Sequence, residues 1–236
     1  MMKDLNSQGG LYIVSVPIGN LDDITERAKF HLENTDIIAC EDTRITGQLI
    51  EKLHLNKKGT FRSYREENEQ QITEQIIYEI QAGKNVSLVS DAGTPAISDP
   101  GFRLISTCRK LNLPVTAVPG ACALINALCL SGLPTDSFLF LGFLPAKTSA
   151  RKKTFTIHQS QPYTLIIYES CHRIEKCLED IISVLGPQRI ISVCREMTKL
   201  YETVITGTSQ YVLDSLKTKS KKGEFVVIIA KDSFSL

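Results

Sequence analysis

Three short loops carry the residue types from which a ligand cradle is made: "VPIGN" at Val16–Asn20, "SDAGTPAISDPG" at Ser90–Gly101 and "VPGACA" at Val118–Ala123. Glycine lets backbone approach a ligand closely, and proline holds a loop in one shape without needing a hydrogen bond. Asp91 and Asp99 add carboxylates, a residue type that equally serves turns and helix caps. None of the loops is a phosphate motif. The chain has no Gly-x-x-x-x-Gly-Lys-Ser/Thr, and "SVPIGN" lacks the Gly-x-Gly-x-x-Gly dinucleotide spacing. The chemistry indicated is recognition, largely by backbone, of something other than a dinucleotide or a triphosphate.

Each loop ends an apolar run. "LYIVSV" and "NVSLVS" are continuous apolar runs, as strands buried on both faces are, and "PVTAV" reads as a further strand. Helices alternate with them. In "LDDITERAKFHLENTD" the positions Ile24, Ala28 and Leu32 recur every four residues, with Asp22 and Asp23 at the start, where helix-end amides favour carboxylates. "DIIAC" reads as a strand, "TRITGQLIEKLHL" and "NEQQITEQIIYEIQAG" as helices, and "ALINALCLSG" as an apolar helix. Strand and helix in alternation give an α/β fold with a largely parallel sheet covered on both faces. In open sheets of that kind, ligands sit at the carboxyl ends of the strands, which is where these loops fall.

The rhythm breaks at "LPTDSFLFLGFLPAKTSARKK", so a domain boundary is expected there, with residues 1–144 forming an N-terminal α/β domain and 145–236 a second one. Beyond it the alternation resumes through "TLIIYES", "RIEKCLEDIISVLG", "IISVCRE", "YETVITG", "SQYVLDSLK" and "EFVVIIA".

Composition is that of an ordinary globular protein: 236 residues, 42% hydrophobic, 22% charged, net charge +1. Such a balance gives no global electrostatic case for nucleic acid. The halves differ, with 13 basic and 17 acidic residues through Pro145 and 14 basic and 9 acidic after it, so an anionic macromolecule would favour the second half. Seven cysteines without a Cys-x-x-Cys pair read as buried thiols in a reducing cytosol. His31, His54, His158 and His172 are scattered and form no ligand-spaced cluster with cysteine, so no metal is expected. "MMKDLNSQGG" lacks an apolar signal segment, and no run approaches the roughly twenty residues that span a bilayer, which points to a cytoplasmic protein without a membrane partner.

Eight segments in order, "LYIVSVPIGNLDDIT", "IACEDTRIT", "VSDAGTPAISDPGFRLI", "VPGACALINALCLSGLPTD", "FLGFLPAK", "LIIYESCHRI", "CREMTKLYETVITGT" and "KGEFVVII", closely resemble the ribosomal RNA small-subunit methyltransferase I family of the tetrapyrrole methylase (class III methyltransferase) superfamily. The resemblance implies a homodimer of two α/β domains with S-adenosylmethionine in the inter-domain cleft. It also implies 2′-O-methylation of a decoding-centre cytidine in small-subunit (16S) ribosomal RNA, with that RNA or the 30S subunit as partner. A tetrapyrrole or other small acceptor, and a catalytically silent cofactor-binding ribosome-assembly factor, are the competing readings. By the family pattern Pro17, Ile18, Gly19, Asp91, Ala92, Gly93, Thr94, Ala121 and Cys122 cradle the cofactor, and Tyr168 and Cys194 close over it.

A ribose hydroxyl is a weak acid, so a carboxylate that takes its proton would help. Glu41 and Asp42 in "ACEDTR" and Glu169 in "YESCHR" are the candidates, and Glu41 and Asp42 read equally well as a helix cap. Arg44 and Arg173 are assigned to phosphates beside the target, because guanidinium forks match phosphate oxygens. Lys147, Arg151, Lys152 and Lys153 in "KTSARKK" would extend that track, whereas "KTKSKK" reads as a solubilising face. Members of the family commonly run on into a small further C-terminal domain, and without it RNA would be gripped by the dimer surface or by ribosome contacts. Cys171, where proline is commoner, is expected only to loosen a turn.

Overall fold

The computed structural model describes residues 5–236, which divide into two compact units meeting between Cys122 and Ala123. In the first unit β1 (Gly10–Val14), β2 (Ile37–Cys40), β3 (Thr60–Ser63), β4 (Asn85–Val89) and β5 (Val115–Val118) form a wholly parallel sheet in the order β3-β2-β4-β1-β5. Side chains alternate along the strands, so the continuous apolar runs feed two cores at once. Leu11, Ile37, Ala39, Val86 and Leu88 pack with Tyr64, Ile76, Ile80 and Leu104, under α3 (Glu69–Gln81) and α4 (Phe102–Lys110). Tyr12, Val14, Ile38 and Cys40 pack with Ala28, Leu32 and Ile50 on the other face, under α1 (Glu26–Asn34) and α2 (Thr43–Lys52). The four-residue spacing of Ile24, Ala28 and Leu32 is thus the buried stripe the sequence indicates. Their helix starts only at Glu26, because Thr25 caps it by accepting from the Ala28 amide at 3.1 Å.

The second unit holds β6 (Phe138–Phe143), β7 (Thr164–Ser170), β8 (Ile190–Arg195), β9 (Thr203–Thr208) and β10 (Glu224–Ile229) in the order β6-β7-β10-β8-β9. Only β6 and β7 run parallel. β10 is antiparallel to β7 and β8, and β8 to β9, so the resumed alternation of strands and helices builds a mixed sheet here. Leu165, Ile167, Ile191, Val193, Phe225 and Val227 face a core closed by α6 (Thr148–Ile157), α7 (Ile174–Leu185) and α8 (Ser209–Lys217). The opposite face is covered by α5 (Ala123–Ser131). This corrects the boundary expected at residue 144: Phe138–Phe143 is an edge strand hydrogen-bonded to β7, and α5 packs on the same sheet, so both belong to the second unit.

The segment after β6 is fixed by a buried ion pair. Arg151 and Asp180, with side chains 1% and 3% exposed, meet through an Arg151 Nε to Asp180 Oδ2 bond of 2.8 Å, and Arg151 Nη1 also reaches the carbonyls of Pro145 and Ala146. Arg151 is therefore a clamp in the interior and not part of a surface basic track. Leaving one member of such a pair uncompensated typically costs about 3–5 kcal/mol. Asp180→Asn should lower unfolding stability by about that amount in urea titration, while Arg151→Met/Asp180→Leu should recover most of it.

Candidate functional site

The three glycine-rich loops emerge side by side because β1 lies between β4 and β5 in the sheet. They are also stitched together. Val16 and Gly93 exchange backbone hydrogen bonds of 2.8 and 3.1 Å, an isolated antiparallel bridge on an otherwise parallel sheet. The Thr94 hydroxyl donates to the Ala121 carbonyl at 3.0 Å and lies 3.0 Å from Ser15 Oγ, which leaves Ser15 as the donor of that second bond. Side-chain bulk is excluded at the junction. A Cβ on Gly120 would stand 2.8 Å from Ser15 Cβ, and one on Gly93, at φ +75°, would stand 3.2 Å from Ile18 Cγ2. Ala96 and Ser98 also lie in the left-handed region, at φ +69° and +62°. Non-glycine residues held there mark backbone that its surroundings over-determine, a feature concentrated at ligand sites.

Beside this knot, at the carboxyl ends of β2 and β4, lies a cleft of about 580 Å³ whose walls include Glu41, Asp42, Arg44, Arg65, Asp91 and Asp99. Its carboxylates are not equivalent. Asp42 caps α2, accepting from the Arg44 amide at 2.8 Å and from Arg44 Nε at 3.0 Å. Those bonds hold its carboxyl far below the usual range, so it stays an anion and makes a poor base. Asp91 accepts from the Asp42 amide at 3.0 Å, and its burial outweighs that bond and raises its pKa. Burial, then the nearby Asp91, raises Glu41. Asp99 is raised furthest, to about 6, by burial and by the charges of Glu41 and Asp91. A carboxyl titrating near neutrality can take and return a proton, so Asp99 has the property sought in Glu41 and Asp42. In the sequence Asp99 reads equally as a cradle carboxylate and as a turn or cap residue; its signal is the second aspartate of "SDAGTPAISDPG".

Two of the second unit's assigned residues share one row of its sheet. Tyr168 and Cys194 both pair with Val226, from β7 and β8, and so point to the face under α5. The Tyr168 hydroxyl accepts from the Leu124 amide at 3.2 Å, and Cys194 Sγ donates to the Ala127 carbonyl at 3.8 Å. Cys194 is fully buried, which pushes its thiol up to about 11, so it is a core thiol and not a surface that covers a ligand. Glu169 also needs correcting. Its carboxylate is 1% exposed, accepts from the Ser170 amide at 2.7 Å and pairs with Arg173 Nη2 at 2.7 Å, so it braces a turn and is closed to a substrate. Arg173 in turn spends its fork on Glu169 and on the Leu144 carbonyl at 3.2 Å, which removes it from phosphate binding. Arg44 is exposed but clasped by Asp42. Lys147 is an exposed residue at the start of α6. All seven cysteines are free; Cys129 is exposed and Cys122 and Cys171 are half-buried, contrary to the expectation of burial. Among the described residues no group of three or more His, Cys, Asp or Glu is placed to hold a metal.

This architecture has solved counterparts. Uroporphyrin-III-C-methyltransferase from Thermus thermophilus superposes with a TM-score of 0.64 at 18% identity, covering 95% of both chains. The methyltransferase CobJ does so with 0.70 at 14%, covering 97% of this chain and 96% of its own. At such identities the likeness is one of fold alone. The sequence profile of the Tetrapyrrole (Corrin/Porphyrin) Methylases matches residues 10–212. Proteins named Ribosomal RNA small subunit methyltransferase I are 46% identical over 226 residues in Escherichia coli O157:H7, covering 95% of this chain and 78% of that one, and 43% identical over 222 residues in Synechocystis sp., covering 94% and 79%. The chain belongs to the tetrapyrrole methylase family, in its ribosomal RNA small subunit methyltransferase I branch.

The Asp99 carboxyl has a direct test. A pKa raised on folding means that the native state holds the proton more tightly than the unfolded one, so stability falls as pH rises from about 4 to about 6 and the loss is complete above that. Asp99→Asn should therefore stabilise the protein above pH 6, by about 1 kcal/mol after screening of a half-exposed group, and bring no gain near pH 4. Paired urea titrations at the two pH values measure it.

Proposed function

We propose that this protein transfers the methyl group of S-adenosylmethionine to the ribose 2′-hydroxyl of a decoding-centre cytidine in small-subunit ribosomal RNA. The observation that carries the reading is the stitched loop knot of the first unit opening beside a carboxylate cleft, in a chain whose relatives bear the name of a ribosomal RNA methyltransferase. The loops suit the cofactor: side chains are kept out at Gly93 and Gly120, and Gly19 and Ala92 are exposed. Pro17, Ile18, Gly19, Asp91, Ala92, Gly93, Thr94, Ala121 and Cys122 of the first unit hold it. Bound there, S-adenosylmethionine supplies an electrophilic methyl group on a positively charged sulfur.

The residues of the cleft orient the acceptor and take its proton. Seven carboxylates, those of Glu41, Asp42, Glu66, Glu67, Glu69, Asp91 and Asp99, line it against Arg44 and Arg65, so it repels a phosphate backbone and admits the uncharged nucleoside. Phe102, 77% exposed at the wall, offers a face on which a base can stack. Asp99, helped by Glu41, receives the hydroxyl proton, and Asp42 holds Arg44 at the mouth, where its free edge meets a phosphate. Aligning the hydroxyl and the methyl group at about 3 Å supplies most of the acceleration. Ile125, Leu130, Phe138 and Phe143, exposed on the second unit, support a homodimer, which works in the cytoplasm where ribosomal subunits assemble. No described helix is long and apolar enough to cross a membrane.

Labelled S-adenosylmethionine incubated with the protein and isolated small subunits should place label on an RNA ribose; absence of label from RNA would sink the reading. Gly93→Val should weaken cofactor binding at least about tenfold in calorimetry, because the branch must displace Ile18 and sit at positive φ. Asp99→Asn and Glu41→Gln should spare cofactor affinity within about twofold, and the true proton acceptor should lose roughly 10²- to 10⁴-fold in kcat.

A further inference from the structure

At the opposite, amino-terminal end of the first sheet lies a second cavity, of about 320 Å³, between the start of β1, the start of β5 and α1. Its walls include Asn6, Tyr12, Arg27, His31, Pro114 and Thr116. Arg27 and His31 stand four apart on α1 and so share one helix face. His31 is 2% exposed, stacks on Tyr12 with ring centroids 4.2 Å apart, and leaves Nδ1 buried without a hydrogen-bond partner. Buried ring nitrogens are ordinarily bonded, so this one is an exception. Arg27 is half-buried and makes no hydrogen bond or ion pair with any described residue, although a guanidinium carries five donors in a fixed fork. Burial and the Arg27 charge lower the imidazole pKa to about 4, which keeps the ring neutral at pH 7, with one donor nitrogen and one acceptor.

We propose that this cavity binds a phosphate group carried by a small molecule, with Arg27 as the principal contact and His31, Thr116 and Asn6 completing the shell. The choice of anion follows from the donors. No carboxylate is among the described walls, unlike the cleft at the other end of the sheet. The Arg27 fork, the His31 N–H, the Thr116 hydroxyl and the Asn6 amide outnumber the two oxygens of a carboxylate and suit the three or four of a phosphate. Asn6 Oδ1 accepts from the Gln8 amide at 2.9 Å, so its N–H₂ is the part of the side chain left to donate. Pro114 and the Tyr12 ring give an apolar wall for an attached organic group, and the volume is that of a small-ligand pocket.

The test is titration of the full-length protein at constant ionic strength, once with inorganic phosphate and once with cytidine 5′-monophosphate. Imidazole resonances are followed by NMR, with His31 assigned by its loss in His31→Gln. Saturable movement of the His31 signal by either ligand is expected. Arg27→Met, on a half-exposed position that keeps the fold, should weaken binding at least about tenfold while leaving thermal stability and S-adenosylmethionine affinity unchanged within about twofold. Equal affinity for the two ligands assigns the site to the phosphate alone, and tighter binding of the nucleotide assigns the apolar wall to its organic part. No saturable shift of His31 up to about 20 mM of either ligand, or equal affinity in Arg27→Met, overturns the proposal.

Discussion

The hydroxyl of Thr94 is the point on which the first unit's site depends. It takes a hydrogen bond from Ser15 and gives one to the Ala121 carbonyl, joining the loops that follow β1, β4 and β5. The Val16 to Gly93 bridge adds a pair of backbone bonds beside it. Without such cross-links, a loop with left-handed residues at Gly93, Ala96 and Ser98 would relax, since two of the three bear a Cβ that disfavours the conformation. The stitching holds the strain, and the strained backbone keeps Asp91 and Asp99 facing the cleft. Substituting Thr94 by a residue without a hydroxyl removes both side-chain links at once.

Local charge matters more than the net charge of +1. Carboxylates crowded into one cleft raise one another's pKa, and partial burial removes the water that would screen them, so Asp99, raised chiefly by burial and then by the Glu41 charge, ends nearest neutrality. Asp42, just after the end of β2, goes the other way because a helix amide and a guanidinium both donate to it. Two acids of one crowded cleft thus acquire opposite uses. In the second unit the same chemistry is turned to structure: the buried Arg151–Asp180 pair holds the carbonyls of Pro145 and Ala146, and the half-buried Arg173, paired with the buried Glu169, holds that of Leu144. Desolvated arginines satisfy carbonyls as well as carboxylates, which suits them to clamping irregular backbone.

Much of this was readable in the sequence, for identifiable reasons. The strands ending at the three glycine-rich loops are apolar on both faces and short, and the helices between them repeat at four residues, so periodicity alone gives the first unit's α/β layering. The short edge strand Thr60–Ser63, half-exposed and carrying a charge, has no such pattern and was missed. The unit boundary was missed as well, because strand pairing decides it: Phe138–Phe143 reads as the end of one domain until its hydrogen bonds to β7 are seen.

Residue types at the site were determined by the sequence itself: glycines where a Cβ would collide, and aspartates at strand ends where helix amides and neighbouring charges act on them. Which carboxylate could carry a proton was decided only by tertiary structure. Glu41, Asp42, Asp99 and Glu169 are chemically alike as letters, and they are separated by burial, by donors from other segments and by the distance to other acids, none of which is a property of a residue's own position in the chain. The buried His31 nitrogen that has no partner among the described residues belongs to the same class of fact, since it is visible only once the surrounding segments are in place.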